Sequence, residues 1–338
     1  MHFFYFRELW LDEKLILENL TNLNYQQIFG PLKNCQAFPR IYLIAIKFLS
    51  SEFNFNLLSL RFIPLVCMLL SLLIWVKVYK DRFSLSWNFF LVLFSFISSY
   101  RLIYYSAELK QYSMDVLVIA IFCFYLSYQQ KLEYQKPSIN FVILTMLLPF
   151  LIFLSHTVIF VLWIPIYNFL FIIRKNKDIL SLFIIYTVLS LAFFGFLYLF
   201  DLRFSLANKC LFQYWNDYFL CIDSPYCFLN SFGEGLRRIV VWFFGDTAFF
   251  MKAGSLFIPF FVFALFESIV NFFKEVKLKI NSIDSLGLII FLELLIFGIA
   301  KKYPFTGERI TLFFAPMVFA MIVKGIGLLN KYKPIYIF

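Results

Sequence analysis

Charge and histidine are scarce in this chain. Asp, Glu, Lys and Arg make up 15% of its 338 residues, against roughly 25% in soluble domains. With so little polar cover, a 62% apolar composition has no soluble core large enough to hold it, and the chain reads as an integral membrane protein. Two histidines, His2 and His156, leave most of the chain without a histidine zinc site. The six cysteines show no CxxC spacing, which removes the usual zinc and redox patterns. No G-x-G-x-x-G or P-loop occurs, so no nucleotide cradle is expected, and were the chain a transferase its activated donor would come from the membrane. The opening MHFFYFRELWLD carries charges early and lacks a small-residue cleavage site, so a cleavable signal peptide is not expected.

What is abundant is apolar and aromatic, with 50 Phe, 20 Tyr and 6 Trp. A hydrocarbon core of about 30 Å takes roughly 20 apolar residues per helix. Nine such segments are expected, at 57–79, 84–104, 111–128, 138–154, 156–173, 179–200, 253–273, 283–299 and 308–329. Runs such as NFVILTMLLPFLIFL do not alternate, which argues against a β-barrel, and helices pair their own backbone in lipid. The expected fold is all-α: a polytopic transmembrane helical bundle of about nine spans, one integral membrane domain over 1–338. The junction at Ser155 and His156 is tight enough to force a hairpin.

The net charge of +10 gathers at span ends rather than on a soluble module, so nucleic acid is not an expected partner. Loops 77–82, 129–137, 174–178, 274–282 and 330–338 hold thirteen Lys and Arg against four acids. The positive-inside rule puts these loops in the cytoplasm. Residues 1–56 and 201–252 then lie on the outer, periplasmic face of the plasma (inner) membrane. Residues 12–29 read as a helix along the interface, and 40–50 as a second one opening after Pro39. The aromatic loop 201–252 is expected to pack on the membrane surface. Cys210, Cys221 and Cys227 share that loop and Cys35 lies in the other, so disulfides can form if both face an oxidising compartment.

Polar chemistry collects at this outer face. Asp12 and Glu13, adjacent carboxylates beside Trp10, suit a general base or a divalent-metal ligand; the plainer reading is a helix start with an aromatic anchor. Glu108, Tyr112 and Asp115 are spaced four and three apart, which puts them on one helical face, with Tyr105 just before them. Lys110 points elsewhere, where it could meet a phosphate; the alternative is a satisfied turn. His156 at the hairpin can bind phosphate or align a sugar, or be structural. Arg309 follows Lys301 and Lys302 in a turn entering a span, a phosphate clamp or a snorkelling arginine. Glu267 and Glu293 fall inside spans, as ion-pathway acids or as helix-to-helix hydrogen-bonding groups.

In this order the clusters resemble the GT-C superfamily of polyprenyl-phosphate-dependent glycosyltransferases. The resemblance is to the bacterial branch related to protein mannosyltransferases and lipid A aminoarabinose transferases, the glycosyltransferase 39-like group. The acidic motif is similar to Leu11-Asp12-Glu13, and the Pro-centred segment to Phe38-Pro39-Arg40-Ile41-Tyr42. The Tyr-rich Glu motif is similar to Tyr105 through Ser113, the hairpin histidine to His156, and the late Arg-then-Pro motif to Arg309 through Pro316. The match runs from residue 9 to about 325. Two features depart from it. The family has a complete span before the acidic motif, whereas eleven residues precede Asp12 here, as in a truncated form or one read from an internal start. Lys110 stands where Arg is common, which keeps the charge without the planar fork.

The resemblance implies inverting transfer of a sugar from a polyprenyl-phosphate donor to a lipid, glycan or protein acceptor. It makes Asp12 the catalytic base with Glu13 assisting, and two adjacent carboxylates are compatible with one divalent cation (Mg2+ or Mn2+) or with none. Lys110, Arg309 and His156 would hold the donor phosphate, and Glu108, Tyr112, Asp115 and Tyr105 would support the site. Alternatives are a transporter, flippase or polysaccharide polymerase, or an inactive protein of the same fold. A transporter should carry its polar residues mid-membrane in broken, pseudo-symmetric spans, and here they lie at one edge.

Overall fold

The computed structural model describes residues 7–245, 248–274, 280, 282–306 and 308–332. Helix makes up 78% of it, with no strand among the described residues. In chain order, α1 (Leu11–Asn22) and α2 (Arg40–Ser51) precede the long α3 (Leu57–Phe83), α4 (Trp87–Ser98) and the short α5 (Tyr100–Tyr105). Then come α6 (Tyr112–Gln129), α7 (Ile139–Leu147), α8 (Trp163–Ile172), α9 (Leu180–Leu197), α10 (Arg203–Leu206) and α11 (Lys209–Trp215). The chain closes with α12 (Pro225–Val241), α13 (Ala248–Ser255), α14 (Ile258–Lys274), α15 (Ile283–Ile299) and α16 (Ala315–Tyr332).

Among the described residues, five helical stretches are long and apolar enough to cross a membrane: Leu57–Phe83, Tyr112–Glu133, Lys177–Leu206, Lys252–Phe273 and Glu308–Leu328. This is a membrane protein by the composition and length of its helices. The other four expected segments come out shorter or broken. Segment 84–104 divides at Ser99, whose ψ of 111° is extended and ends α4. Segment 138–154 leaves α7 for a 3-10 stretch, Leu148–Phe153, at Pro149, where the missing N–H and the ring work against a continuing α-helix. Segment 156–173 starts as a 3-10 run, His156–Phe160, before α8. At 17 residues, α15 rises only about 25 Å.

Backbone contacts divide the chain into two compact units, Met1–Ser71 with Tyr104–Tyr214, and Leu72–Ile103 with Trp215–Phe338. In the first, α6 is the centre: 72% of its apolar window is buried, as expected of a helix apolar on all sides. It packs on α8 and on the His156–Phe160 run. By contrast only 22% of the Lys177–Leu206 window is buried, and Ile184, Val188 and Leu191 stand exposed as a face for lipid. Both expected outer-loop helices are present as α1 and α2, which pack on each other. Lys47 of α2 donates to the carbonyls of Leu20 and Leu23 at the end of α1, a cation satisfying orphan acceptors at a helix C-terminus.

In the second unit α16 is central, with 78% of its apolar window buried against α14, α4 and α15. Its Gly325 lets two backbones meet, because a Cβ there would lie 2.1 Å from the Phe260 carbonyl oxygen. Small residues serve this purpose in membrane helix packing. The loop expected over 201–252 is largely helical, through α10, α11 and α12.

Candidate functional site

The first turn of α1 sends its two carboxylates to different places. Glu13 is fully buried. Its Oε1 accepts from the Leu109 N–H at 2.8 Å and its Oε2 from the Trp10 N–H at 3.1 Å. Arg61 Nη2 lies 3.3 Å from Oε2 and Arg7 Nη2 3.6 Å from it. Two amides and two guanidinium groups thus occupy this carboxylate, which ties α1 to α3 and to the turn before α6. Asp12 keeps 31% of its side chain exposed, with its Oδ2 3.9 Å from the Lys110 ammonium. Lys110 is itself buried and donates to Gln36 Oε1 at 3.1 Å. Gln36 follows Cys35, which is disulfide-bonded to Cys210.

Glu108, Tyr112 and Asp115 do not share a helical face. The helix begins only at Tyr112, and residues 106–111 are turns, with Ala107 N–H donating to the Tyr104 carbonyl and Lys110 N–H to that of Glu108. Glu108 therefore faces α1, accepting from the Trp10 indole at 2.5 Å beside Arg7 at 3.5 Å. Burial pushes the Glu108 carboxyl pKa up, with the nearby Glu13 charge adding to it and the Trp10 hydrogen bond opposing. Tyr105 and Tyr112 pack edge to face at 5.1 Å, and Ser113 Oγ donates to the Tyr105 carbonyl at 2.9 Å. These two tyrosines shape the turn that presents Glu108 and Lys110.

Asp115 belongs to a second group. It accepts from Ser155 Oγ at 2.6 Å, and Ser155 also meets Thr157 Oγ1 at 2.7 Å. His156, between them, puts Nε2 2.8 Å from Asp201 Oδ2 and keeps 20% of its side chain exposed. Arg40 Nε lies 3.4 Å from the other Asp201 oxygen. Arg40 is buried, and its Nε and Nη1 have no hydrogen-bond partner among the described residues. Burial pulls its pKa down and Asp201 pushes it back up. Asp201 sits in a π-helical stretch, Tyr198–Leu202, that continues α9, a distortion frequent at functional sites. The first turn of α2 links the two groups, since Tyr42 donates to the Lys110 carbonyl at 3.4 Å.

The sequence pattern assigns no role to Arg7, Arg40, Arg61 or Asp201. Arg61 carried a signal, because a charge inside an apolar run marks a partner by default. Asp201 carried none, its partners lying far off in sequence. Arg309 lies in the second unit, partly buried, with its guanidinium 5.7 Å from the Trp215 ring. Glu267 pairs there with Lys324 at 2.5 Å, and Lys324 also approaches Asp284, which Arg82 holds at 2.5 Å. That network gives Glu267 a local helix-to-helix partner. Among the described residues no three of His, Cys, Asp and Glu gather as a metal-ligand set. No protein-family model matches this chain, nor does any curated protein or solved structure.

Proposed function

We propose that this chain is a membrane glycosyltransferase of the GT-C type. It moves a sugar, with inversion, from a polyprenyl-phosphate donor to a lipid, glycan or protein acceptor at the outer face of the plasma membrane. The observation that carries this reading is the division of labour around Asp12. Glu13 and Glu108 are buried and engaged by Arg7, Arg61 and Trp10, while Asp12 stays partly exposed beside the Lys110 ammonium. A base with access to an acceptor, next to a cation for a leaving phosphate, is what such a displacement needs.

In the reaction Asp12 takes the proton from the acceptor hydroxyl or amine as that atom attacks the anomeric carbon. The bond from that carbon to the phosphate oxygen breaks, and the phosphate departs with the electron pair. Lys110 and His156 meet its charge, and Arg40, buried beside Asp201, supports them through Nη1, which has no hydrogen-bond partner among the described residues. Asp201 positions His156 through one ring nitrogen and leaves the other for substrate.

The GT-C reading includes nine spans, with α4, α7, α8 and α15 helping to complete the bundle. Outer-face orientation is supported by the disulfides Cys35–Cys210 and Cys221–Cys227. They fall in the two segments that the cation distribution leaves outside, and disulfides persist in oxidising compartments. The test is transfer of radiolabelled sugar from a panel of polyprenyl-phosphate donors in membranes holding this chain. Transfer lost in Asp12→Asn supports the reading. No transfer above the Asp12→Asn background across the whole panel sinks it.

A further inference from the structure

The first unit gathers a second set of charges at the far end of α6 from Lys110. With 18 residues, α6 rises about 27 Å, so this set is separate from the cluster around Asp12. It sits on residues 130–138, between α6 and α7, and 173–179, between α8 and α9. Side chains fasten the two segments together. Asn176 Nδ2 donates to the Leu132 carbonyl at 2.8 Å and to that of Gln135 at 3.4 Å. Lys175 Nζ donates to Glu133 Oε2 at 2.7 Å and to the Tyr134 hydroxyl at 3.2 Å.

What this joint presents outward is positive. Of its two acids, Glu133 is buried and paired with Lys175, with 5% of its side chain exposed. Asp178 lies in the first turn of the Lys177–Ile179 run that opens α9, where the positive end of the helix dipole offsets part of its charge. Lys131, Lys136, Arg174 and Lys177 are all exposed. Two of them lie over rings three residues earlier in the chain. The Lys131 ammonium is 4.6 Å from the Tyr128 ring centre and the Arg174 guanidinium 5.5 Å from that of Phe171. Such contacts hold cations at the ends of apolar helices.

Apolar surface begins directly beyond these cations. Ile139 and Ile143 on α7, and Leu180 and Ile184 on α9, are each spaced by four and so form rows, and all four are exposed. The two helices pack on each other. A positive rim above exposed aliphatic rows matches an amphiphile with a negative head group. A nucleic acid or acidic peptide makes no use of the rows, and an uncharged lipid makes none of the cations. Membrane topology accounts for cations near the end of a span, but not for two segments fastened into one surface with an acid buried beneath it.

We propose that this end of the first unit binds an anionic phospholipid. Its phosphate lies against the four exposed cations, and its acyl chains run along the rows of α7 and α9.

The test is native mass spectrometry of the full chain in detergent, titrated with dioleoyl phosphatidylglycerol and with dioleoyl phosphatidylcholine. The two lipids share their chains and differ in head-group charge, and glycerol phosphate is the probe without chains. Phosphatidylglycerol should bind saturably and more tightly than phosphatidylcholine. In the triple variant Lys131→Gln, Lys136→Gln and Arg174→Gln its affinity should fall by roughly a hundredfold, at roughly fivefold per cation. The triple variant Lys33→Gln, Arg203→Gln and Lys209→Gln removes the same charge from exposed positions elsewhere in the unit and should leave binding unchanged. In the wild type, added salt should weaken phosphatidylglycerol binding and spare phosphatidylcholine, a readout that needs no variant to fold. Equal binding of the two lipids, equal losses in the two triple variants, indifference to salt, or glycerol phosphate binding as tightly as the lipid overturns the proposal. Binding is read without sugar transfer, so its failure and that of the transferase reading are separate results.

Discussion

Arg61 reaches from the first turns of α3 to within 3.3 Å of the Glu13 carboxylate, with only 2% and 0% of the two side chains exposed. A charge inside a long apolar helix and a charge in the first turn of α1 thus account for each other. Breaking a buried pair from one side strands the other charge, at about 3–5 kcal/mol. Glu13→Ala and Arg61→Ala should each lower the melting temperature of the purified protein sharply. The double variant should lose less than the sum, because the two are coupled. Strict additivity would show that the pair is not a working contact.

Asp12 should behave in the opposite way. It is partly exposed, so Asp12→Asn should leave the melting temperature nearly unchanged, as surface substitutions away from special features do. On the transferase reading the same change lowers sugar transfer by about 10²–10⁴-fold, the usual worth of a general base. A parallel loss of stability and transfer would assign Asp12 a structural role instead.

Two carboxylates predict opposite pH behaviour. Glu108 has its pKa raised by burial, so the folded protein holds this proton more readily than the unfolded chain. Stability from this group is fully present below its unfolded pKa and is lost as pH rises through the higher folded value. Glu108→Gln should flatten that fall and cost little at neutral pH, since its amide oxygen still accepts from Trp10. Glu234 is lowered to about 2 by its hydrogen bond with Arg237, and by Arg238. Its contribution is present above its unfolded pKa and disappears as pH falls toward 2, so Glu234→Gln should flatten the acid limb only. Melting curves from pH 2 to 9 check both.

The two disulfides differ in what they close. Cys35–Cys210 spans 175 residues and Cys221–Cys227 spans 6. Loop-closure entropy gives about 5 kcal/mol for the first and about 2 kcal/mol for the second. Replacing Cys35 and Cys210 by Ser should therefore lower the melting temperature more than replacing Cys221 and Cys227. Mass labelling with maleimide should find two reactive sulfurs, those of Cys67 and Cys123, in the denatured protein before reduction and six after it. Six before reduction would show that neither bond forms.

His156 depends on Asp201 at 2.8 Å. Asp201→Asn keeps the shape and removes the charge beside both His156 and Arg40. Transfer should fall, because the carboxylate beside the His156 ring and the Arg40 guanidinium is gone. Unchanged transfer would mean that Asp201 only packs.

Helix content, membrane character and the positions of the five long apolar helices were legible in the sequence, because lipid demands long apolar runs with internally paired backbones. The two short helices near the start were legible as well, one after Pro39 and the other from its apolar spacing. Continuity was harder to read. Ser99 and Pro149 break runs whose hydropathy alone reads as spanning, since local backbone geometry decides there. The placement of Glu108 followed the same rule. Spacing by four predicts one helical face only where a helix exists, and the turn over residues 106–111 sends Glu108 to Trp10 while Asp115 goes to Ser155. Arg40, Arg61 and Asp201 gain meaning only from partners distant in the chain. Composition sets which groups must avoid lipid, and the tertiary structure decides which of them meet, because a buried charge is stable only beside the particular groups that satisfy it.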